Sequence, residues 1–413
     1  MKTNKKDIEI FYLLTSVGLA NVGEWIYFIA LNMMILNQGG NAFTVGLLYV
    51  IRPIADILTS MISSPYIDRL SKKKWMISLS LLRASLVGML VLSQNLVYIY
   101  VIVFFIQVCI SIYEPLSISY ITLAIPKKKI KKFNSWNSLV SSGGFLIGPG
   151  IAGFLLSIGT PLLAILINSI ALLGSGFLLF FLTDYTIPEM TTNKNSILEE
   201  SRAAVRYLKE YYKTNRMIVF FYLLVSSLFI LAAGLDSVEA AFSKQVLLMS
   251  DGQYGLLVSI SGAGFLIGSI LNSLVVERLS IRQLIIFGGF TYIMGYLIFS
   301  TSSNFEVASI GFFLISFALA YINTGFRTFI QLVFPLNKIG QLTTALNILN
   351  SLFEMIIVLT VSGLSMLIPL RITLILTELL MVVIFLSIVQ YSRKLKINQL
   401  ENSWKDSGLV DEL

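Results

Sequence analysis

Apolar runs of roughly 18 to 27 residues recur from one end of the chain to the other, and each is long enough, at about 1.5 Å of rise per residue, to carry a helix through about 30 Å of hydrocarbon. Nothing else constrains the fold as much. Inside a bilayer every backbone N–H and C=O must be satisfied within the protein, which leaves helices or closed barrels. The alternating strands of about ten residues that mark a barrel are absent. Twelve spans are expected, near residues 11–36, 42–67, 75–93, 97–124, 134–157, 161–183, 216–241, 253–275, 284–302, 305–333, 342–367 and 369–391. Several are joined by turns so short that consecutive helices must be antiparallel neighbours. Composition agrees with this all-α membrane fold class: 56% hydrophobic and 13% charged residues are far from the balance of a water-facing globule.

The net charge is +8, which on a soluble protein would invite nucleic acid as a partner. Its distribution argues otherwise. Of 30 Lys and Arg, 25 fall in the N-terminus, every second loop and the C-terminal tail, while the other loops carry only Lys244 and Arg371. This positive-inside asymmetry assigns both termini to the cytoplasm of a multi-pass cell-membrane protein. No cleavable-signal pattern is seen, and the first span is expected to act as its own insertion signal. The lysine-, isoleucine- and asparagine-rich composition looks bacterial.

One cysteine, Cys109, sits inside a span, and there is no histidine. An intrachain disulfide, Cys-based metal sites, Ser-His-Asp and Cys-His catalysis and histidine proton relays all drop out. No nucleophile is accompanied by a base or metal set, so an enzyme is not expected.

The charged turn SPYIDRLSKKKW at 64–75 returns in reduced form as VVERLSIRQL at 275–284. A shift of 209 residues places Asp68, Arg69, Leu70 and Ser71 on Glu277, Arg278, Leu279 and Ser280, and Gly46 on Gly255. A six-span unit has been duplicated. Because the unit holds an even number of spans, both copies enter the membrane the same way round. The organisation read from this is a six-helix half at 1–183, a cytoplasmic linker at 184–215, a second, pseudo-symmetric six-helix half at 216–391 and a tail at 392–413. Within the linker, SILEESRAAVRYLKEYY has Ser196 and Glu199 at capping-box spacing, with Leu198, Val205, Leu208 and Tyr212 along one face. An amphipathic helix on the inner surface is expected there.

Three further stretches add to this pattern: VGEWIYFIAL in span 1, IPKKKIKKFNSWNSL after span 4 and GFLIGPGIAGFL in span 5. Together with the charged turn they resemble the major facilitator superfamily over essentially the whole chain. The turn is similar to that family's loop signature G-x-x-x-D-R-x-G-R-K, with Asp68, Arg69, Lys72 and Lys73 in register and Ser64 and Ser71 in place of glycines. Span 5 resembles the antiporter signature G-x-x-x-G-P-x-x-G-G at Gly144, Gly148, Pro149 and Gly153, with Ala152 replacing a glycine. The G-E-W opening resembles the drug:proton antiporter branch that includes macrolide-efflux and enterobactin-exporter proteins. That branch often carries an arginine early in span 4; here there is none, and Arg83 in span 3 is the candidate to take over part of that job.

Each signature also has its own physical reading. Asp68, with Glu277 and Arg278 at the repeated position, can hold one conformation shut by facing the positive N-terminus of a helix in the other half. The cations behind it, Lys72 and Lys73, are expected to anchor the turn among anionic headgroups or to act only as topology determinants. Gly144 and Gly148 permit close helix contact, and Pro149 bends span 5, a form suited to a seal at a domain seam.

Ionisable groups deep in a bilayer are costly and default to functional candidates. Glu24 is near the middle of span 1, Glu114 just past the middle of span 4, and Glu354 and Glu378 in the middles of spans 11 and 12. Desolvation penalises a carboxylate and a nearby cation favours it, so such a group can take a proton on one side and release it on the other. Glu24 is the first candidate for proton coupling and Glu114 the second, each with a structural ion pair or interhelical hydrogen bond as the alternative. Arg52, Asp56 and Arg83 read as a buried charge cluster. Asp236 and Glu239, about 30 Å along span 7, read as exposed rim charges, and Arg327 has several acids within reach. Trp25, Phe28, Tyr113, Phe221, Tyr321, Asn323 and Phe326 are cavity-lining candidates suited to a bulky amphipathic solute, with lipid-facing positions as the alternative.

The expected function is proton-driven export of lipophilic or amphipathic compounds, such as a macrolide-like drug or a secreted metabolite, by alternating access. A proton-linked importer and a lipid translocase remain alternatives. The expected partners are an amphipathic small molecule, protons and membrane lipids, with no nucleic acid. The chain is expected to work as a monomer, without a cofactor, on the proton gradient.

Overall fold

The computed structural model describes residues 5–67, 71–92, 94–185, 197–335 and 339–395. Asp68 and Arg69 of the charged turn and Ser196 of the linker lie outside the described residues.

Thirteen α-helices run through the described residues: α1 (Lys5–Asn37), α2 (Ala42–Ile67), α3 (Lys72–Met89), α4 (Leu96–Ala124), α5 (Lys127–Ile158), α6 (Pro161–Leu179), α7 (Ile197–Thr214), α8 (Arg216–Gln245), α9 (Asp251–Val275), α10 (Ile281–Thr301), α11 (Phe305–Val333), α12 (Ile339–Leu364) and α13 (Leu370–Lys394). All but α7 are long and apolar enough to cross a membrane. Helix starts follow local chemistry. Asn95 accepts from the backbone N–H groups of Val97 and Tyr98, Asn304 accepts from Val307, and Ser280 and Gln283 form a reciprocal capping box. Pro161 opens α6, where its missing N–H costs nothing.

The chain divides into two compact units, Met1–Ile197 with Met249–Ser259, and Leu198–Leu248 with Ile260–Leu413. The first unit therefore includes the opening turns of α9, and the second includes α7. In the first unit α1 packs on α5 and α6, and α3 packs on α4 and α6. In the second, α8 packs on α12 and α13, and α10 on α11 and α13. The pairing is the same with each helix displaced by seven, as a duplicated six-helix bundle requires.

A polar corner ties the helix ends at the cation-rich side of the first unit. Glu9 accepts hydrogen bonds from the Thr183 backbone N–H and hydroxyl and from the Tyr185 hydroxyl, and Tyr120 donates to the Thr183 carbonyl at 2.8 Å. Burial, with the Glu9 carboxylate second, holds the Tyr185 phenol above its usual range, so it stays a donor. Ser71 donates to Asp184 at 3.0 Å, and Lys73 Nζ donates to the Phe180 carbonyl at 2.8 Å, near the end of α6. Lys72 is 1% exposed. The expectation that Lys72 reaches into the headgroups is corrected here, since its side chain is buried within the unit, while Lys73 is half-exposed.

The face assigned to the linker helix also shifts. Tyr211 is buried while Tyr212 is exposed, and Tyr207 and Leu208 are half-buried beside it. The Tyr211 hydroxyl donates to the Val333 carbonyl at 2.8 Å, and its ring meets Phe334 edge-on at 5.8 Å. Helix α7 thus docks on the end of α11, one residue round from the predicted stripe.

Candidate functional site

Five charged side chains come together on the first four helices of the first unit. Arg52 Nε lies 3.9 Å from Asp56 Oδ2, one turn along α2, and Arg52 Nη2 lies 3.9 Å from Glu114 Oε1 of α4. The Ser111 hydroxyl donates to Asp56 Oδ1. Arg83 of α3 pairs with Glu24 of α1 at 3.7 Å. Each of these positions is near the middle of its apolar helix, where a charge facing lipid would be prohibitive. A solvated face is the arrangement compatible with their exposure: the side chains of Arg52 and Glu114 are 62% and 63% exposed.

The predicted grouping of Arg52, Asp56 and Arg83 as one buried cluster is corrected on two counts. Arg83 joins Glu24 rather than Asp56, and of the three only Arg83 is buried, its side chain 7% exposed. Both proton-coupling candidates consequently face an arginine. Glu24 is held by a buried cation, whereas Glu114 shares an open Arg52 with Asp56. Three carboxylates against two guanidinium groups leave one negative charge in excess, which a single proton would remove.

Aromatic side chains border the same region. Trp25 packs on Phe145 at 4.5 Å and edge-on to Phe28 at 5.9 Å, and Phe28 meets Tyr49 at 5.8 Å; Trp25, Phe28 and Tyr113 are half-buried. In the second unit, Phe326 and Asn323 are also half-buried, with Phe326 against Tyr222 at 5.1 Å. One candidate is a core residue: Phe221 is fully buried against Phe329 at 4.9 Å. Tyr321 is 5% exposed, packed between Phe287 and Phe317, and borders a groove of the second unit. Their size suits them to core contacts as well as to a cavity wall, and their spacing alone does not distinguish the two.

Helix α5 has glycines on two faces. A Cβ on Gly148 would come within 2.6 Å of Trp25 Cβ, and one on Gly144 within 2.9 Å of Asn21 Cβ, so these glycines let α5 lie close against α1. Gly153 faces the start of α9, where a Cβ on Gly255 would lie 2.4 Å from Gly153 Cα and 2.8 Å from the Pro149 carbonyl oxygen. Ser259 adds a hydrogen bond to the Leu146 carbonyl. Of the charged turn, Glu277 and Arg278 are exposed in a short 3-10 turn at 276–278.

The second unit holds its own intramembrane acids. Asp236 is not an exposed rim charge: it is half-buried, and its Oδ1 accepts from the Tyr296 hydroxyl at 2.7 Å, with Tyr292 stacked edge-on to Tyr296 at 5.1 Å. Glu239 is likewise half-buried. Glu378 is fully buried and accepts from the Ser300 hydroxyl at 2.8 Å, while Arg371 donates to the Ser300 carbonyl at 2.6 Å. On the self-alignment, Asp236 falls at the position of Tyr27 and Tyr292 at that of Arg83. Applied to the intramembrane acids, that register was the available signal that Asp236 faces the bundle.

The family model described as Major Facilitator Superfamily matches residues 13–358. Multidrug resistance protein 2 of Bacillus subtilis (strain 168) is 27% identical over 280 residues, which make up 67% of this chain and 66% of that protein. The chain thus spans just under two thirds of that relative's length. Among solved structures, a POT family transporter in complex with a thioalcohol-conjugated peptide gives a TM-score of 0.77 at 12% identity, over 93% of this chain and 96% of that one. An inward-facing, unoccupied bacterial homologue of the human lysosomal transporter Spinster gives 0.74 at 14% identity, over 96% and 99%. A bacterial homologue of the iron transporter ferroportin gives 0.69 at 18%, over 92% and 98%. At such identities the structures speak for the fold alone, a twelve-helix transporter fold in two six-helix halves. With the family model matching most of its length, the chain belongs to the Major Facilitator Superfamily.

Proposed function

We propose that this transporter exports lipophilic or amphipathic small molecules in exchange for protons, by alternating access. The observation that carries the reading is the constellation Glu24, Arg52, Asp56, Arg83 and Glu114, in which three acids face two permanent cations on the solvated middle of one unit. A site with one uncompensated carboxylate is neutralised by a single proton, and proton binding then competes with a cationic or polar group of the solute. Glu114 is the better carrier of that proton. It is open and shares its arginine with Asp56, whereas Arg83 is buried and holds Glu24 to itself. Half-buried Trp25, Phe28 and Tyr113 of the same unit offer π-faces and apolar area for a bulky solute. The similarity to a multidrug resistance protein supports the same solute class.

The test is pH-driven transport in everted vesicles of the full-length protein, screened with a panel of amphipathic compounds. Glu114→Gln is expected to abolish the dependence on an imposed pH gradient while leaving downhill movement of solute intact. Full pH-driven efflux in both Glu24→Gln and Glu114→Gln would refute the mechanism. Proton movement in the same direction as the solute would replace export by symport.

A further inference from the structure

At the cation-rich end of the second unit, a groove of about 830 Å³ opens where the end of α9, the start of α10 and the middle of α11 meet. Its apolar walls include Val275, Ile286, Phe287, Phe290 and Tyr321, and its polar groups, among them Ser280 and Arg282, come from the start of α10. Phe287 and Phe290 are 46% and 56% exposed, and Phe287 meets Tyr321 edge-on at 5.0 Å.

The duplicated fold supplies a control for this corner. In the first unit, Ser71 donates to Asp184 and Lys73 donates to the Phe180 carbonyl, so the corner carries its own acid. The register of 209 residues puts Ser280 on Ser71 and Arg282 on Lys73, and where the first unit has Asp184 the end of α13 carries Ser392, Arg393 and Lys394. The acid has no counterpart there. Ser280 is used in its own capping box, and Arg282 Nε donates to the neutral Ser392 hydroxyl at 3.3 Å. Among the described residues, Arg278, Arg282, Arg393 and Lys394 make no ion pair, and the one acid beside them is exposed Glu277. An excess of positive charge therefore stands over an apolar groove, at the end that charge asymmetry assigns to the cytoplasm.

We propose that this groove is a binding site for an anionic phospholipid of the inner leaflet, with its phosphate on Arg282 and an acyl chain along Phe287, Phe290 and Tyr321. The guanidinium fork matches phosphate oxygens, and the neighbouring cations add attraction to a negative headgroup. A free anion has no use for the aromatic walls. A cationic amphipath, the solute class that suits the acidic constellation of the first unit, is repelled by this corner. The site is independent of the transport reading.

The experiment is native mass spectrometry of the full-length protein in mild detergent, offered dioleoyl phosphatidylglycerol or dioleoyl phosphatidylcholine at equal concentration. Wild type is expected to retain phosphatidylglycerol in excess. Arg282→Gln is expected to reduce that excess by about fivefold, the equivalent of the roughly 1 kcal/mol that a basic residue contributes to headgroup attraction, while Arg282→Lys keeps most of it. Ile286→Trp, which fills the groove, is expected to lower retention of both lipids. Should Arg282→Gln fail to fold, the exposed pair Arg393→Gln and Lys394→Gln must produce the same loss of preference. Equal retention of the two lipids by wild type, an undiminished preference in the variants, or displacement of the lipid by inorganic phosphate alone would overturn the proposal.

Discussion

Arg83 Nη2 lies 3.7 Å from Glu24 Oε2 between α3 and α1, with the arginine side chain 7% exposed and the glutamate 44% exposed. The pair is asymmetric: the cation is committed to the bundle, and the acid is its access to solvent. The Arg83 Nε is buried and has no hydrogen-bond partner among the described residues, so Glu24 carries the compensation for this charge. Removing one partner of a fully buried pair costs about 3–5 kcal/mol, and the openness of Glu24 puts this case near the lower end. Glu24→Gln is therefore expected to lower the thermal midpoint in detergent by several degrees. Replacing both residues by leucine is expected to recover most of the loss. If the single and the double replacement are equally destabilising, the pair is not coupled.

Adjacent glycines in α5 make a sharper steric test. Gly143 has open space where a Cβ would go, while a Cβ on Gly144 would come within 2.9 Å of Asn21 Cβ and one on Gly148 within 2.6 Å of Trp25 Cβ. Alanine is the better helix former by about 1 kcal/mol, so Gly143→Ala is expected to be neutral or stabilising. Gly144→Ala and Gly148→Ala are expected to destabilise by about 1–3 kcal/mol through overpacking. Chemical denaturation of the three single variants in one detergent would read this out, and a uniform effect would refute the packing argument.

Much of the architecture was legible because the bilayer leaves so few choices. The predicted 305–333 span and the observed Phe305–Val333 helix coincide, and the repeat DRLS/ERLS announced the duplicated bundle. The site was legible in residue types but not in partners. Depth along a helix shows that Arg83, Asp56 and Glu24 can meet, and only packing decides that Arg83 takes Glu24. Asp236 was misplaced for a different reason. Counting rise from Arg216 assumes that α8 starts at the hydrocarbon edge, but α8 continues to Gln245 and extends past the point where the count would have ended it. Aromatic spacing likewise marks a face without telling core from cavity, which is how Phe221 was assigned to the wrong one.

Asp236 and Tyr296 give the second unit its own test. The Tyr296 hydroxyl donates to Asp236 at 2.7 Å, and a hydrogen bond to a charged group contributes about 1.5–3 kcal/mol. Tyr296→Phe is expected to cost that much, since it leaves the acid without this donor. Asp236→Asn, which can still accept from Tyr296, is expected to cost less. The order would be reversed if Asp236 faced water and the contact were incidental. Denaturation midpoints of the two variants decide between these outcomes.

The linker helix supplies a last pair, in which neighbouring tyrosines are expected to behave oppositely. Tyr211 is 8% exposed, donates to the Val333 carbonyl at 2.8 Å and packs on Phe334, and burial pushes its phenol up so that it remains a donor at any working pH. Tyr212 is 45% exposed, and its ring has Arg216 at 5.9 Å. Tyr211→Phe removes one neutral hydrogen bond, worth about 1 kcal/mol, and Tyr211→Ala also removes the aromatic contact, worth about 0.5–1.5 kcal/mol beyond area burial. A short helix docked on the outside of a bundle opens locally before the bundle does, so that loss is expected as faster amide exchange over 206–214 with exchange in α8 and α11 unchanged. Tyr212→Ala is expected to leave exchange in α7 as it was. Equal acceleration by the two substitutions would mean that the helix lies on the membrane surface through Tyr212, and that its docking on α11 does not hold it.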